Sequence, residues 1–156
     1  MKQFNRSVSI FFLLWTAIVA QECYLERPFY IKSIIGGLTL DGLNPDNVKV
    51  SDFGGYSYQR WIFEYGDKPG HFFIVNAYNG LVLDVQNSNR DPNIILNTKS
   101  NSLSQQWILN WNGTILNVYY GRNMDIYQGD FFPGNIVIVY PDNGLKQQQW
   151  TLHEVS

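Results

Sequence analysis

Cysteine is almost absent from this 156-residue chain, with Cys23 the only one. One thiol cannot close an internal bridge, so the fold must be held by its core. Histidine is nearly as scarce, at His71 and His153. Without Cys and His at ligand spacing no transition-metal site is expected. Charge is also low: Asp, Glu, Lys and Arg make up 15% of the residues, against about 25% in ordinary soluble domains. The net charge is −2, so no basic footprint for nucleic acid or for an anionic membrane exists. No apolar run is long enough to span a bilayer. Acidic residues do not cluster as in a calcium loop, and neither a Gly-x-Ser-x-Gly elbow nor a phosphate loop is present. The chain is therefore expected to be no enzyme and to need no cofactor.

What it has instead is aromatic bulk and turn residues. Five Trp, ten Tyr and ten Phe make up 16% of the chain, alongside thirteen Gly and six Pro. Disordered chains carry few aromatics and high net charge, and helix bundles live on Ala, Glu, Lys and Leu. The composition predicts an all-β domain.

Residues 1–20 read as an export signal. Lys2 and Arg6 form a basic start, and the uncharged run from Ile10 to Ala20 ends in small residues before Gln21. That order of basic, apolar and small segments is a secretory signal peptide. A buried N-terminal helix is the other reading of the same run. Cleavage after Ala20 leaves 136 residues with nine basic and thirteen acidic side chains, so the mature chain is secreted and more acidic than the whole. Residues 21–27 form a short N-terminal extension that contains Cys23. This cysteine is either free or available for a disulfide-linked dimer. Asn112-Gly113-Thr114 is a glycosylation sequon if the source is eukaryotic.

The remaining chain, 28–156, repeats itself three times. Gln-x-Trp occurs at Gln59–Trp61, Gln105–Trp107 and Gln148–Trp150. Gly-x-x-x-Asp, with an apolar residue before the Asp, occurs at Gly37–Asp41, Gly80–Asp84 and Gly121–Asp125. A Pro-Asn turn leads into Val48, Ile94 and Ile136, which stand 13, 13 and 14 residues before the motif Trp. Three markers recur in one order, so repeats of about 28–67, 68–111 and 112–156 are assigned. Each holds four short β-branched or aromatic runs bounded by Asn, Asp, Gly and Pro, which is the strand signature. Twelve short strands in three units predict a β-trefoil, a barrel closed by three hairpins with pseudo-three-fold symmetry, because closure hides the sheet edges. A sandwich or a lipocalin-like barrel would not explain the repeat.

Three Gln-x-Trp motifs, each preceded by Gly-x-x-x-Asp, resemble the ricin B-type lectins. The resemblance spans 28–156 and implies a β-trefoil that binds glycans or glycoproteins. The motif Trp residues are read as core pegs. The motif Gln residues, Gln59, Gln105 and Gln148, are read as buried amides hydrogen-bonded to backbone where strands turn. The three Asp residues are either turn-forming carboxylates or acceptors for adjacent sugar hydroxyls. Hydrogen bonds to a charged group contribute about 1.5–3 kcal/mol each. In the family, an aromatic on the third strand stacks on the sugar and an Asn just before Gln-x-Trp completes the set.

Those partners are unevenly distributed here. The third repeat has Asp125, Tyr140 at the platform position, and Gln147 where the family has Asn. Ile138 replaces a frequently polar contact. The second has Asp84, with Asn97 in place of the aromatic and Ser104 in place of the Asn. The first has Asp41, with Ser51 and Tyr58 at those positions. The expected order of sugar sites is third, second, first, with galactose-type glycans as ligands. The competing expectation is a secreted trefoil that binds a protein, inhibitor-like or toxin-like, since fold does not fix function. A glycosidase pair of Asp84 and Asp125 is set aside, because three-fold symmetry puts them on separate lobes.

Overall fold

The short apolar runs fold into twelve strands in the computed structural model, which describes residues 27–88 and 92–155. The signal segment 1–20, Cys23 and the rest of the extension up to residue 26 lie outside the described residues. The first repeat contributes β1 (Pro28–Ser33), β2 (Thr39–Asp41), β3 (Lys49–Ser51) and β4 (Trp61–Tyr65). The second contributes β5 (Phe72–Asn76), β6 (Val82–Val85), β7 (Ile94–Asn97) and β8 (Trp107–Leu109). The third contributes β9 (Ile115–Asn117), β10 (Arg122–Ile126), β11 (Val137–Tyr140) and β12 (Trp150–Glu154). Each expected strand is present, and the only helical pieces among the described residues are four single 3₁₀ turns. No helix among them is long and apolar enough to cross a membrane.

First and fourth strands of each repeat build the barrel. Antiparallel pairing runs β12–β1–β4–β5–β8–β9. The Trp150 N–H donates to the Gly113 carbonyl at 2.8 Å, which brings β12 back to the start of β9. Second and third strands pair as the hairpins β2–β3, β6–β7 and β10–β11. These hairpins lock to one another through backbone. Val48 N–H donates to Ile94 O at 3.0 Å, Val137 N–H to Val48 O at 3.0 Å, and Val139 N–H to Pro92 O at 3.0 Å. The result is a β-trefoil.

Strand alternation explains the repeated motifs. The residue before each Asp, Leu40, Leu83 or Met124, points inward and is fully buried. Across the hairpin it pairs with Val50, Leu96 or Val139, also buried. The Asp beside it therefore sits on the outer face of its hairpin. Trp61, Trp107 and Trp150 fill the shared core, and each indole N–H donates to the carbonyl of that same inward residue at 3.1 Å. Gly37, Gly80 and Gly121 each have φ between 60° and 72°, so the motif glycine supplies a left-handed turn that other residues enter at a cost.

Candidate functional site

Each motif Gln ends a 3₁₀ turn and lies buried against its own Asp. The Gln59 amide donates to Asp41 Oδ2 at 3.4 Å, that of Gln105 to Asp84 Oδ2 at 3.0 Å, and that of Gln148 to Asp125 Oδ2 at 2.8 Å. The same amides donate to backbone at Asp52 O, Thr98 O and Pro141 O. Their carbonyls accept the N–H of Gly54, Ser100 and Asn143. The expected backbone bonds are thus present, and the amide also ties the carboxylate to the loop before Gln-x-Trp.

The repeats diverge at the third strand. Ser51, Asn97 and Tyr140 occupy equivalent positions, paired with Thr39, Val82 and Asn123. Ser51 Oγ donates to Asp41 Oδ2 at 2.6 Å, and the Asn97 amide donates to Asp84 Oδ2 at 3.3 Å. Asp41 Oδ1 also accepts the Leu43 N–H, and Asp84 Oδ1 the Val85 N–H. A short polar side chain therefore closes over the carboxylate in the first two repeats. Tyr140 is too large to do so, and its ring stands 41% exposed at the edge of a cleft.

That cleft has a volume of about 330 Å³ and is lined by Asp125, Tyr127, Gln128, Ile138, Tyr140, Asn143 and Gln147. The size falls at the lower end of the range for small-molecule sites, about 300–1,000 Å³. Asp125 is only 3% exposed and forms its floor, opposite Ile138 in the strand pairing. Because side chains two apart share a strand face, Ile138 and Tyr140 present themselves together beside Asp125. Gln147 reaches in from the loop before the motif and lies against Gly129, whose φ is +69°. Gln128, beside it, is the one described non-glycine residue with positive φ, at 57°. Holding a side-chain-bearing residue there costs about 1–2 kcal/mol, so the Tyr127–Gly129 turn at the cleft is shaped against local preference.

The structure thus gathers Asp125, Tyr140 and Gln147 at one cleft and leaves Asp84, Asn97 and Asp41 in closed hydrogen-bond sets of their own. Sequence reasoning missed Tyr127, Gln128 and Asn143. The Gln128-Gly129 pair inside a polar loop was the signal for the turn, but nothing in the sequence located Asn143. At Tyr58, burial first, then the Asp41 carboxylate and then Tyr56, raise the phenol above the ordinary tyrosine value. Asn112 is exposed in the β8–β9 turn, where its Oδ1 accepts the N–H and the hydroxyl of Thr114 at 3.1 and 2.9 Å. Among the described residues, no group of three or more His, Cys, Asp or Glu is placed to hold a metal ion.

Comparison with known proteins follows the same outline. The designed three-fold protein ThreeFoil superimposes with a TM-score of 0.76 and 27% identity, over 82% of this chain and 99% of that one. The earthworm R-type lectin C-half, solved with GalNAc, has a TM-score of 0.66 and 23% identity, over 83% and 99%. An exo-β-1,3-galactanase from Clostridium thermocellum has a TM-score of 0.77 and 24% identity, over 83% of this chain but only 30% of that one. No curated protein sequence is significantly similar to the chain. The profile for the ricin-type beta-trefoil lectin domain-like family matches residues 57–140, more than half of the chain, so this protein belongs to that family.

Proposed function

We propose that the protein is a secreted lectin that binds galactose-type glycans at the third repeat. Family membership supports carbohydrate binding in general. The observation that carries the finer reading is the cleft itself, where a buried carboxylate, an exposed aromatic ring and a side-chain amide converge. Asp125 accepts hydroxyl hydrogen bonds, Tyr140 stacks on the apolar face of the sugar, and Gln147 takes a further hydroxyl. The galactose class is supported by two of the structural neighbours, one solved with GalNAc and one named as a galactanase. A single open site of this kind binds weakly, at about millimolar to high micromolar, or roughly −4 to −6 kcal/mol. No catalytic step is assigned to the cleft. Its role is binding.

Titration calorimetry with lactose and GalNAc tests the site. Asp125→Asn keeps an oxygen acceptor for the Gln148 amide while removing the charge, and Tyr140→Ala removes an exposed ring. Both changes abolish measurable binding if the reading is right, and binding untouched by both would sink it. Secretion is tested separately by expression in a secreting host. A product starting at Gln21 supports the signal assignment, and one retaining Met1 overturns it. The same product on a non-reducing gel decides whether Cys23 links two chains.

A further inference from the structure

Three tyrosines cluster where the first and second repeats meet. Tyr56 and Tyr58 stack with centroids 5.0 Å apart and an interplanar angle of 17°. Tyr78, from the β5–β6 turn of the second repeat, meets Tyr58 edge-on at 6.3 Å and 84°. Tyr56 is 54% exposed and Tyr78 59% exposed, so two large rings face solvent at one corner. The arrangement is held in place. A Cβ at Gly54 would lie 2.0 Å from Tyr56 Cε2, so only glycine leaves room for that ring where it stacks. The Tyr58 carbonyl accepts the Gly42 N–H at 3.0 Å and the Asn76 amide at 2.9 Å, which pins the strip carrying Tyr58 to both repeats.

Position and charge indicate what this corner takes. Tyr58 stands just before Gln59-x-Trp61, the place that Gln147 holds in the third-repeat cleft. The corner is thus the three-fold equivalent of one wall of that cleft, with its carboxylate, Asp41, closed by Ser51 and Gln59. The neighbouring cation is also engaged, since Arg60 donates to Gly55 O at 2.8 Å and to Tyr30 Oη at 3.3 Å. What remains is a neutral aromatic surface edged with phenol hydroxyls, which are donors and acceptors both. Such a surface complements a neutral ring that has an apolar face and a hydroxyl rim.

We infer that Tyr56, Tyr58 and Tyr78 form a second saccharide contact, which takes the apolar face of a neutral pyranose by stacking rather than through a carboxylate. This rests on the lectin reading and deepens it, since one chain then touches a glycan display at two non-equivalent places. Two linked weak contacts outbind either alone by about 10²–10⁴, which offsets the weakness of one shallow site.

The test is an NMR titration of chain carrying ¹³C-labelled tyrosine, with lactose, GalNAc, maltose and cellobiose as probes through millimolar concentrations. It is run on the native chain and on Asp125→Asn. The expected result is a saturable shift of the Tyr56 and Tyr78 ring signals with at least one probe in both chains, while Tyr140 responds in the native chain only. On beads displaying that sugar densely, Tyr56→Ala/Tyr78→Ala weakens retention at least about tenfold. Both rings are exposed, so the variant keeps its fold, checked by the unchanged Tyr140 response. If Tyr140 moves while Tyr56 and Tyr78 stay fixed with every probe, the second contact is overturned and the cleft stands. If only the tyrosine corner responds, the second contact stands and the cleft assignment fails. If nothing moves, both are wrong.

Discussion

Removing the motif amides one at a time separates their support of the fold from their support of the site. Gln148 is fully buried, donates to Asp125 at 2.8 Å and to Pro141 O at 2.9 Å, and accepts from Asn143 N–H at 3.2 Å. Gln148→Ala takes a charge-assisted donor from a carboxylate that is 3% exposed, a loss of about 1.5–3 kcal/mol, with about 1 kcal/mol more for the backbone bonds. Gln59→Ala removes the equivalent contacts, together with a bond to Ser51 Oγ at 2.8 Å, from a different environment. Asp41 is half-exposed, its bond from Gln59 is long at 3.4 Å, and Ser51 Oγ and the Leu43 N–H still donate to it. Water can reach what is left, so about 1–2 kcal/mol is lost. Against a total stability of about 5–15 kcal/mol, urea unfolding of the two variants resolves that difference. Lactose binding gives the second readout: Gln148→Ala loses it because the amide that ties Asp125 to the Pro141 loop is gone, and Gln59→Ala keeps it. Equal stability losses, within about 0.5 kcal/mol, or retained binding in Gln148→Ala would refute the argument.

Three further outcomes follow from the same geometry. Gly129→Ala places a Cβ 3.4 Å from Gln147 at a φ of +69°; it costs about 1 kcal/mol in urea unfolding and weakens lactose binding several-fold, and an unchanged affinity refutes the role of Gln147. The raised Tyr58 pKa, caused first by burial and then by Asp41 and Tyr56, contributes stability that is intact below the unfolded phenol's pKa of about 10 and is lost above it, where the unfolded chain sheds its proton first; in paired urea titrations Tyr58→Phe loses less stability at alkaline pH than the native chain, and parallel curves refute this. Asn97→Tyr with Ser104→Gln removes the Asn97 donor over Asp84 and copies the third-repeat residues; calorimetry on this variant gives one more lactose per chain than the native protein, and an unchanged stoichiometry refutes closure of the carboxylate as what sets the second repeat apart from the third.

The fold was legible because its determinants are local and thrice repeated. An apolar residue before each Asp, a Gln and a Trp at fixed spacing, and a glycine at each left-handed turn define the same unit each time, and all twelve strands fall where these markers put them. The core was legible for the same reason, since a large apolar side chain at a symmetric position has nowhere else to go. The site was legible only where a side chain's size mattered. Tyr140 in place of Asn97 or Ser51 could be read directly as a platform. That Asn97 and Ser51 would turn and donate to their own Asp could not, because a polar residue on an outer strand face can equally well point to water. The link from Gln to Asp was hidden too. It joins residues 18 to 23 apart, and spacing alone does not say that a buried amide will bond a carboxylate as well as backbone. The tyrosine corner was hardest, because it combines Tyr56 and Tyr58 with Tyr78 from another repeat.

These observations separate what symmetry requires of each repeat from what it leaves open. The residue before each Asp and the motif Trp face inward, where a change in one repeat disturbs a core shared by all three, while the motif Gln is buried against its own Asp. The residue ten before each Trp faces outward on the third strand, where substitution touches its own carboxylate and the loop beside it. A short donor there shuts the carboxylate, and a large ring leaves a cleft beside it. The residue before each motif Gln is similarly unconstrained, so Gln147 can extend that cleft while Tyr58 joins an aromatic corner instead. One symmetric scaffold can therefore carry one open cleft, two closed carboxylates and one tyrosine surface. The asymmetry rests on two outward positions per repeat, which is where changes in glycan preference should be sought.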